Sequence, residues 1–184
     1  MLTDLWMKLI EKHHGNIDKS WIALNEKEKS EFETLRHSIS AEVNEFISSH
    51  NYRKLGTDFA VPDRHLKNFY ERIKNEVKSA GLDYVIYGHF GNSHIHLNML
   101  PKNDDEFELS KKLYTKICLD AIKTGGTFSA EHGVGKNKTE LLLEMYGEQT
   151  VKEMFEIKKA LDPNLILCPG NIFNQDWIKI KSAG

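Results

Sequence analysis

Cysteine is scarce in this chain: Cys118 and Cys168 are the only two in 184 residues, far apart and in no C-x-x-C arrangement. That argues against a disulfide framework or a zinc–thiolate knot and fits a reducing compartment. An excess of one charge is also missing. With 25 Lys+Arg against 27 Asp+Glu and a net charge of -2, no basic surplus selects nucleic acid or an anionic membrane as partner. Acids are interleaved through the lysine-rich stretches, which read as solvated helix faces. No apolar run approaches the roughly 18 residues of a membrane span. The opening "MLTDLWMKLIEKHHG" carries acids and has no apolar signal core. A soluble protein of the cytoplasm is expected.

Proline is also sparse, and the four that occur (Pro62, Pro101, Pro163, Pro169) fall at apparent element boundaries, as a residue without an N–H should. No repeat or low-complexity tract is visible, and the length suits one domain, 1–184. Apolar spacing of three and four predicts a helix over 26–50, through Phe32, Leu35, Ile39, Val43, Phe46 and Ile47. "KLGTDFAVP" predicts a short strand ended by Pro62. A helix follows, with Asp63 as N-cap and Gly81 as its stop. Further helices are expected over 104–124, 136–146 and 148–161, then an extended tail "NLILCPGNIF" turned at Pro169-Gly170. Two apolar runs too close for a crossover helix, "DYVIYGHF" and "HIHLNML", imply an α+β domain with an antiparallel sheet.

What the chain has in abundance is histidine in one place. "YGHFGNSHIHLNML" holds three of its nine histidines within eight residues. If 84–90 and 93–100 form a hairpin turned at Gly91-Asn92, His89 pairs with His94 and Tyr87 with His96. Val85, Tyr87, His89, His94, His96 and Asn98 then share one face, while Tyr84, Ile86, Phe90, Ile95, Leu97 and Met99 share the other. The polar face is either a wall of hydrogen-bonded or solvated imidazoles or a site, since imidazole is the commonest metal ligand and the neutral-pH acid/base. A metal would need a further group from elsewhere.

"GGTFSAEHGVGKNK" (125–138) offers one. Its four glycines permit tight turning and close approach, with Glu131-His132 in the middle. It is not a phosphate-cradling P-loop: Ala130 and Asn137 stand where a glycine and a hydroxyl are required.

These two segments, with "ALDPNLILCPGNIF" and the upstream "YRKLGTDFAVP", resemble the C-terminal domain of FAD-linked oxidases. Within that vanillyl-alcohol oxidase superfamily they are most similar to the D-lactate, D-2-hydroxyglutarate and glycolate dehydrogenase branch. The resemblance covers about 35–173. It implies a ferredoxin-like antiparallel sheet with helices on one face, incomplete relative to the full-length family. It also implies a substrate and metal (cap) domain that works against a FAD-binding domain or subunit.

The resemblance further implies a divalent metal, zinc, held by His89, His96 and Glu131, with His132 as general base. Arg36, Lys54 and Asn98 would bind a small 2-hydroxy acid. The branch's usual G-H-x-G-D-G-N-x-H has Asn92, Ser93 and His94 here in place of its Asp, second loop Gly and Asn, which leaves the second ligand open between His94 and His96; spacing favours His96. The terminal N-P-G motif reads Cys168-Pro169-Gly170 here, and the resemblance implies Asn171 as the contact on the flavin side.

No flavin-cradling glycine segment is found before the hairpin, so the chain is expected to be inactive without its flavin module. An iron–sulfur or quinone-linked electron acceptor and peripheral placement at the inner face of a membrane are compatible with this reading. Two other functions stand beside it: a stand-alone zinc-dependent hydrolase, and a non-catalytic partner subunit of a flavoprotein.

Overall fold

The computed structural model describes residues 2–173, and the chain divides into two compact units, Met1–Ser48 and Ser49–Gly184. Among the described residues, no helix is long and apolar enough to cross a membrane.

The first unit is helical. α1 (Leu2–Lys12), where no helix was expected although Leu2, Leu5, Trp6, Leu9 and Ile10 stand at helical spacing, leads through a short 3-10 turn into α2 (Glu26–Ser49). α2 begins on a reciprocal cap. Asn25 Oδ1 accepts the Glu28 N–H at 3.0 Å, and Glu28 Oε2 accepts the Leu24 N–H at 2.6 Å, satisfying donors that a helix start otherwise leaves open. Neither helix has a buried residue, and the apolar stripe of α2 is unburied, with Leu35 50% and Ile39 47% exposed.

In the second unit the predicted strand 54–62 forms as two short pieces, β1 (Leu55–Gly56) and β2 (Phe59–Ala60). α3 (Asp63–Ser79) follows, then β3 (Tyr84–His89), β4 (His94–Met99), α4 (Asp104–Lys123) and α5 (Thr139–Leu161). α5 unites the two predicted helices 136–146 and 148–161 across a bend at Gly147, whose φ is 77°.

β4 is the middle of an antiparallel sheet. β3 lies along one edge and β1 and β2 along the other. Leu55 faces Met99, Gly56 faces Asn98, Phe59 faces Ile95 and Ala60 faces His94, one unbroken register. Thr57 and Asp58 therefore interrupt a single strand without shifting it. The Thr57 N–H still donates to the Leu97 carbonyl at 2.9 Å.

The hairpin register is the predicted one, with His89 opposite His94, Tyr87 opposite His96 and Val85 opposite Asn98. Its connection differs from the two-residue turn expected. A 3-10 turn, Phe90–Asn92, and Ser93 at φ 52° make it four residues long. An even count preserves the phase of both strands, so the face segregation survives. Phe90 does not join the apolar face: the turn lifts it out, 46% exposed, with its ring 5.7 Å from that of Tyr70. Gly88 is required where the strands meet, because a Cβ there would stand 2.5 Å from the His94 carbonyl oxygen.

α3 and α4 cover the apolar face. Phe69, Ile73 and Val77 of α3 and Ile117 and Ala121 of α4 close on Ile95, Leu97 and Met99. Burial of this kind is worth about 25 cal/mol per Å² of apolar surface. Asp63 is not the predicted N-cap of α3. Pro62 holds that position without a side-chain bond, and the Asp63 carboxylate instead accepts the Ser93 hydroxyl at 2.6 Å. A second cluster packs Cys118 and Phe128 against Leu142, Val151 and Phe155 of α5, and includes Phe173. The tail reaching it is a run of turns and not extended: Leu165 N–H returns to Asp162, and Asn171 N–H to Cys168.

Candidate functional site

The polar face of β4 meets the glycine-rich segment 125–138 through the broken strand. Thr127 exchanges backbone hydrogen bonds with Ala60 at 2.8 and 3.1 Å, which brings Ser129–His132 alongside Asp58. Gly126 makes this possible, since a Cβ there would lie 2.1 Å from the Ala60 carbonyl oxygen.

Asp58, which the sequence reading did not single out, organises the junction. It is 3% exposed. Its carboxylate accepts the His132 N–H at 2.9 Å, the Glu131 N–H at 3.3 Å, the Ser129 hydroxyl at 3.1 Å and His94 Nε2 at 2.9 Å. Lys138 Nζ lies 3.6 Å away. Burial alone would raise the Asp58 carboxyl. The donors from His132, His94 and Glu131 and the Lys138 charge outweigh it and hold the group down at about 2. One signal for Asp58 was present. In "LGTDFAV" it alternates with Phe59 and Val61, so on a strand it must share the face opposite the core.

Glu131 receives the imidazoles of the hairpin. His89 Nε2 lies 3.1 Å and His94 Nδ1 3.5 Å from Oε1, while His96 Nε2 lies 3.5 Å and His132 Nε2 3.8 Å from Oε2. The four rings thus divide two and two between the carboxylate oxygens. The His94 and His96 rings stand edge to face at 4.4 Å, and those of His96 and His132 are tilted at 5.4 Å.

Fixed acceptors place two ring protons. His96 Nδ1 faces the Thr57 carbonyl at 3.3 Å, an acceptor only, so it carries the proton and Nε2 turns its lone pair toward Glu131. His94 Nε2 faces the ionised Asp58, so a proton sits there, and Nδ1 is turned toward Glu131. Burial lowers the pKa of His96 and keeps it in that neutral form, against the opposing Thr57 contact.

Ring nitrogens gathered around a carboxylate leave a gap that suits a cation. Donors about 2.1 Å from a tetrahedral ion stand about 3.4 Å apart, and 3.1 and 3.5 Å match that spacing. Among the described residues, three groups offer ligand atoms within 4.8 Å of one another: Asp58, His94 and His96; His89, His94 and Glu131; and His96, Glu131 and His132. His89 and His96 fall in different groups, and Glu131 belongs to both.

Asn98 is 4% exposed on the same strand face, and its amide nitrogen has no hydrogen-bond partner. Lys54 is exposed directly before β1. Arg36 is exposed on α2, in the first unit. Asn171 is half-buried in the tail turn, where the Ile172 N–H donates to the Gly135 carbonyl at 2.7 Å.

The sequence profile described as "FAD linked oxidases, C-terminal domain" matches residues 4–172. The chain belongs to this family. Among characterised relatives, it is 35% identical over 120 residues to the mitochondrial D-lactate dehydrogenase [cytochrome] 1 of Saccharomyces cerevisiae, covering 65% of this chain and 20% of that protein. It is 26% identical over 172 residues to the mitochondrial D-lactate dehydrogenase [cytochrome] of Arabidopsis thaliana, covering 92% and 30%. To the glycolate oxidase subunit GlcD of Bacillus subtilis it is 31% identical over 121 residues, covering 65% and 26%. The chain thus spans under a third of the length of these relatives. The α+β architecture with an antiparallel sheet agrees with the resemblance read from its motifs.

Proposed function

We propose that the unit Ser49–Gly184 is the substrate and metal domain of a FAD-dependent 2-hydroxy-acid dehydrogenase, in which hairpin imidazoles and Glu131 hold a divalent metal such as zinc. One observation carries the metal reading: His89 Nε2 and His94 Nδ1 lie 3.1 and 3.5 Å from one Glu131 oxygen, and His96 Nε2 lies 3.5 Å from the other. Imidazole nitrogens and a carboxylate converging at this spacing are a donor set that suits zinc. The relatives named for D-lactate and glycolate support the hydroxy-acid class.

His89, His96 and Glu131 are the ligands that the family resemblance implies, and imidazole with carboxylate suits zinc. When bound, such an ion supplies Lewis acidity toward the hydroxyl and carboxylate oxygens of a 2-hydroxy acid. His132 takes up the hydroxyl proton. Its side chain is 66% exposed, open to an incoming substrate, and its backbone is fixed by Asp58. The unpartnered Asn98 amide is a buried donor waiting for an acceptor such as a substrate oxygen. Lys54, directly before β1, supplies a cation for the substrate carboxylate. A flavin on a companion module would supply the acceptor for the α-hydrogen, with Asn171 on its side, and an iron–sulfur or quinone-linked partner would carry the electrons onward.

Metal analysis of the purified chain tests this. About one zinc per chain is expected, and strong loss in both His89→Ala and Glu131→Ala. Unchanged zinc in the two variants sinks the ligand assignment. The chain alone is expected to carry no stoichiometric flavin and to oxidise no hydroxy acid until a flavin module is supplied.

A further inference from the structure

Three histidines line the hairpin face, and the middle one sits on the best-defined support. We propose that His94 is itself a ligand of the metal through Nδ1, and that Asp58 is the positioning residue that presents it. This rests on the metal centre proposed above and extends it to the other of the two hairpin candidates, His94, which stands where asparagine is common in the branch.

The geometry assigns His94 this role on three counts. Its Nδ1 lies 3.5 Å from the Glu131 oxygen that His89 Nε2 approaches at 3.1 Å. His89, His94 and Glu131 therefore form one group within 4.8 Å, a spacing that one ion can satisfy. Next, the side chain of His94 is 6% exposed and its other nitrogen is held at 2.9 Å by Asp58. An imidazole that donates one N–H to a carboxylate is fixed in tautomer and direction, the support metal-bound histidines usually have. Finally, the same Asp58 carboxylate accepts the backbone N–H groups of Glu131 and His132. One buried anion thus ties the hairpin ligand to the loop that carries Glu131. The second hairpin imidazole, His96, gives its Nδ1 proton to the Thr57 carbonyl and faces the other Glu131 oxygen. The two imidazoles therefore do not compete for one position.

Titrating the whole purified chain with zinc while following the histidine ring nitrogens by long-range proton–nitrogen NMR tests the assignment. His94 Nδ1 is expected to move to the range of a metal-bound nitrogen while Nε2 keeps its proton. His94→Ala and Asp58→Asn are each expected to weaken zinc binding tenfold or more, and His37→Ala, on α2, should leave it unchanged. Zinc bound with the His94 resonances unmoved overturns this proposal and leaves the metal centre standing on the other ligands. No zinc bound by the unaltered chain overturns both. Should His94→Ala fail to fold, the resonances of the unaltered protein decide the matter.

Discussion

The two faces of β4 are nearly equally buried but held by different forces. On one side Ile95, Leu97 and Met99 are fully enclosed by α3 and α4; on the other His94 and Asn98 are 5% and 4% exposed. The apolar face gains from leaving water and needs no particular partner. The polar face gains nothing by burial unless each donor and acceptor is met. Its partners come from outside the hairpin: the Thr57 carbonyl, Asp58 and Glu131. The apolar side is satisfied within the fold. The polar side keeps unmet capacity, in ring nitrogens turned to a shared carboxylate and one unpartnered amide donor. A strand face that is buried but incompletely satisfied is a candidate for ligand binding.

The largest perturbation should come from the apolar face. Leu97→Ala is expected to cost about 3 kcal/mol in urea unfolding, and a loss below about 1 kcal/mol would mean that this face does not anchor the sheet. The polar face should respond to its cation. Zinc at a hundredfold over its dissociation constant is expected to add about 2.7 kcal/mol to the unaltered chain and nothing to Glu131→Ala; equal stabilisation of both would place the ion elsewhere.

Acid should act on the polar face through Asp58. Its carboxyl lies at about 2 in the fold against an ordinary 3.8, so the unfolded chain takes up the proton first as pH falls. The stabilisation, about 2 kcal/mol, is fully present above about pH 4 and lost as pH drops through about 2. Asp58→Asn should flatten that part of the stability–pH curve, and an unchanged slope would remove Asp58 as its source. The smallest effect is expected at Asn98→Leu, which deletes an amide with an unmet donor. A change under about 1 kcal/mol would set it apart from Leu97→Ala on the neighbouring position, whereas a loss comparable to Leu97→Ala would show the amide to be structural.

Much of this arrangement was legible beforehand. The alternation of His94, His96 and Asn98 with Ile95, Leu97 and Met99 gave the hairpin phase, because opposed residues on paired strands share a face. The turn was misjudged in length, and the phase survived because four residues, like two, are an even number. Helix ends near Ser79 and Lys123 followed from the glycines beyond them, and the bend of α5 from Gly147. α1 has the helical spacing of Leu2, Leu5, Trp6, Leu9 and Ile10 but buries none of its residues, so its pattern points to no core. Asp63 looked like a cap by its position before an apolar run; Ser93, 30 residues away, claimed its carboxylate.

The amino-acid order by itself determined which side chains could do chemistry and which side of β4 they occupy, because strand periodicity is a local property of the backbone. It also carried the family motifs. Only the tertiary structure decided that Asp58 sits under the site, that Glu131 divides its two oxygens among four imidazoles, and which nitrogen of His94 and of His96 is turned to it. These depend on the broken strand running in register with β4 and on the glycine loop docking against it. Such contacts join residues more than 30 positions apart, and their partners are fixed by packing and hydrogen-bond satisfaction across the whole unit, which no local pattern encodes.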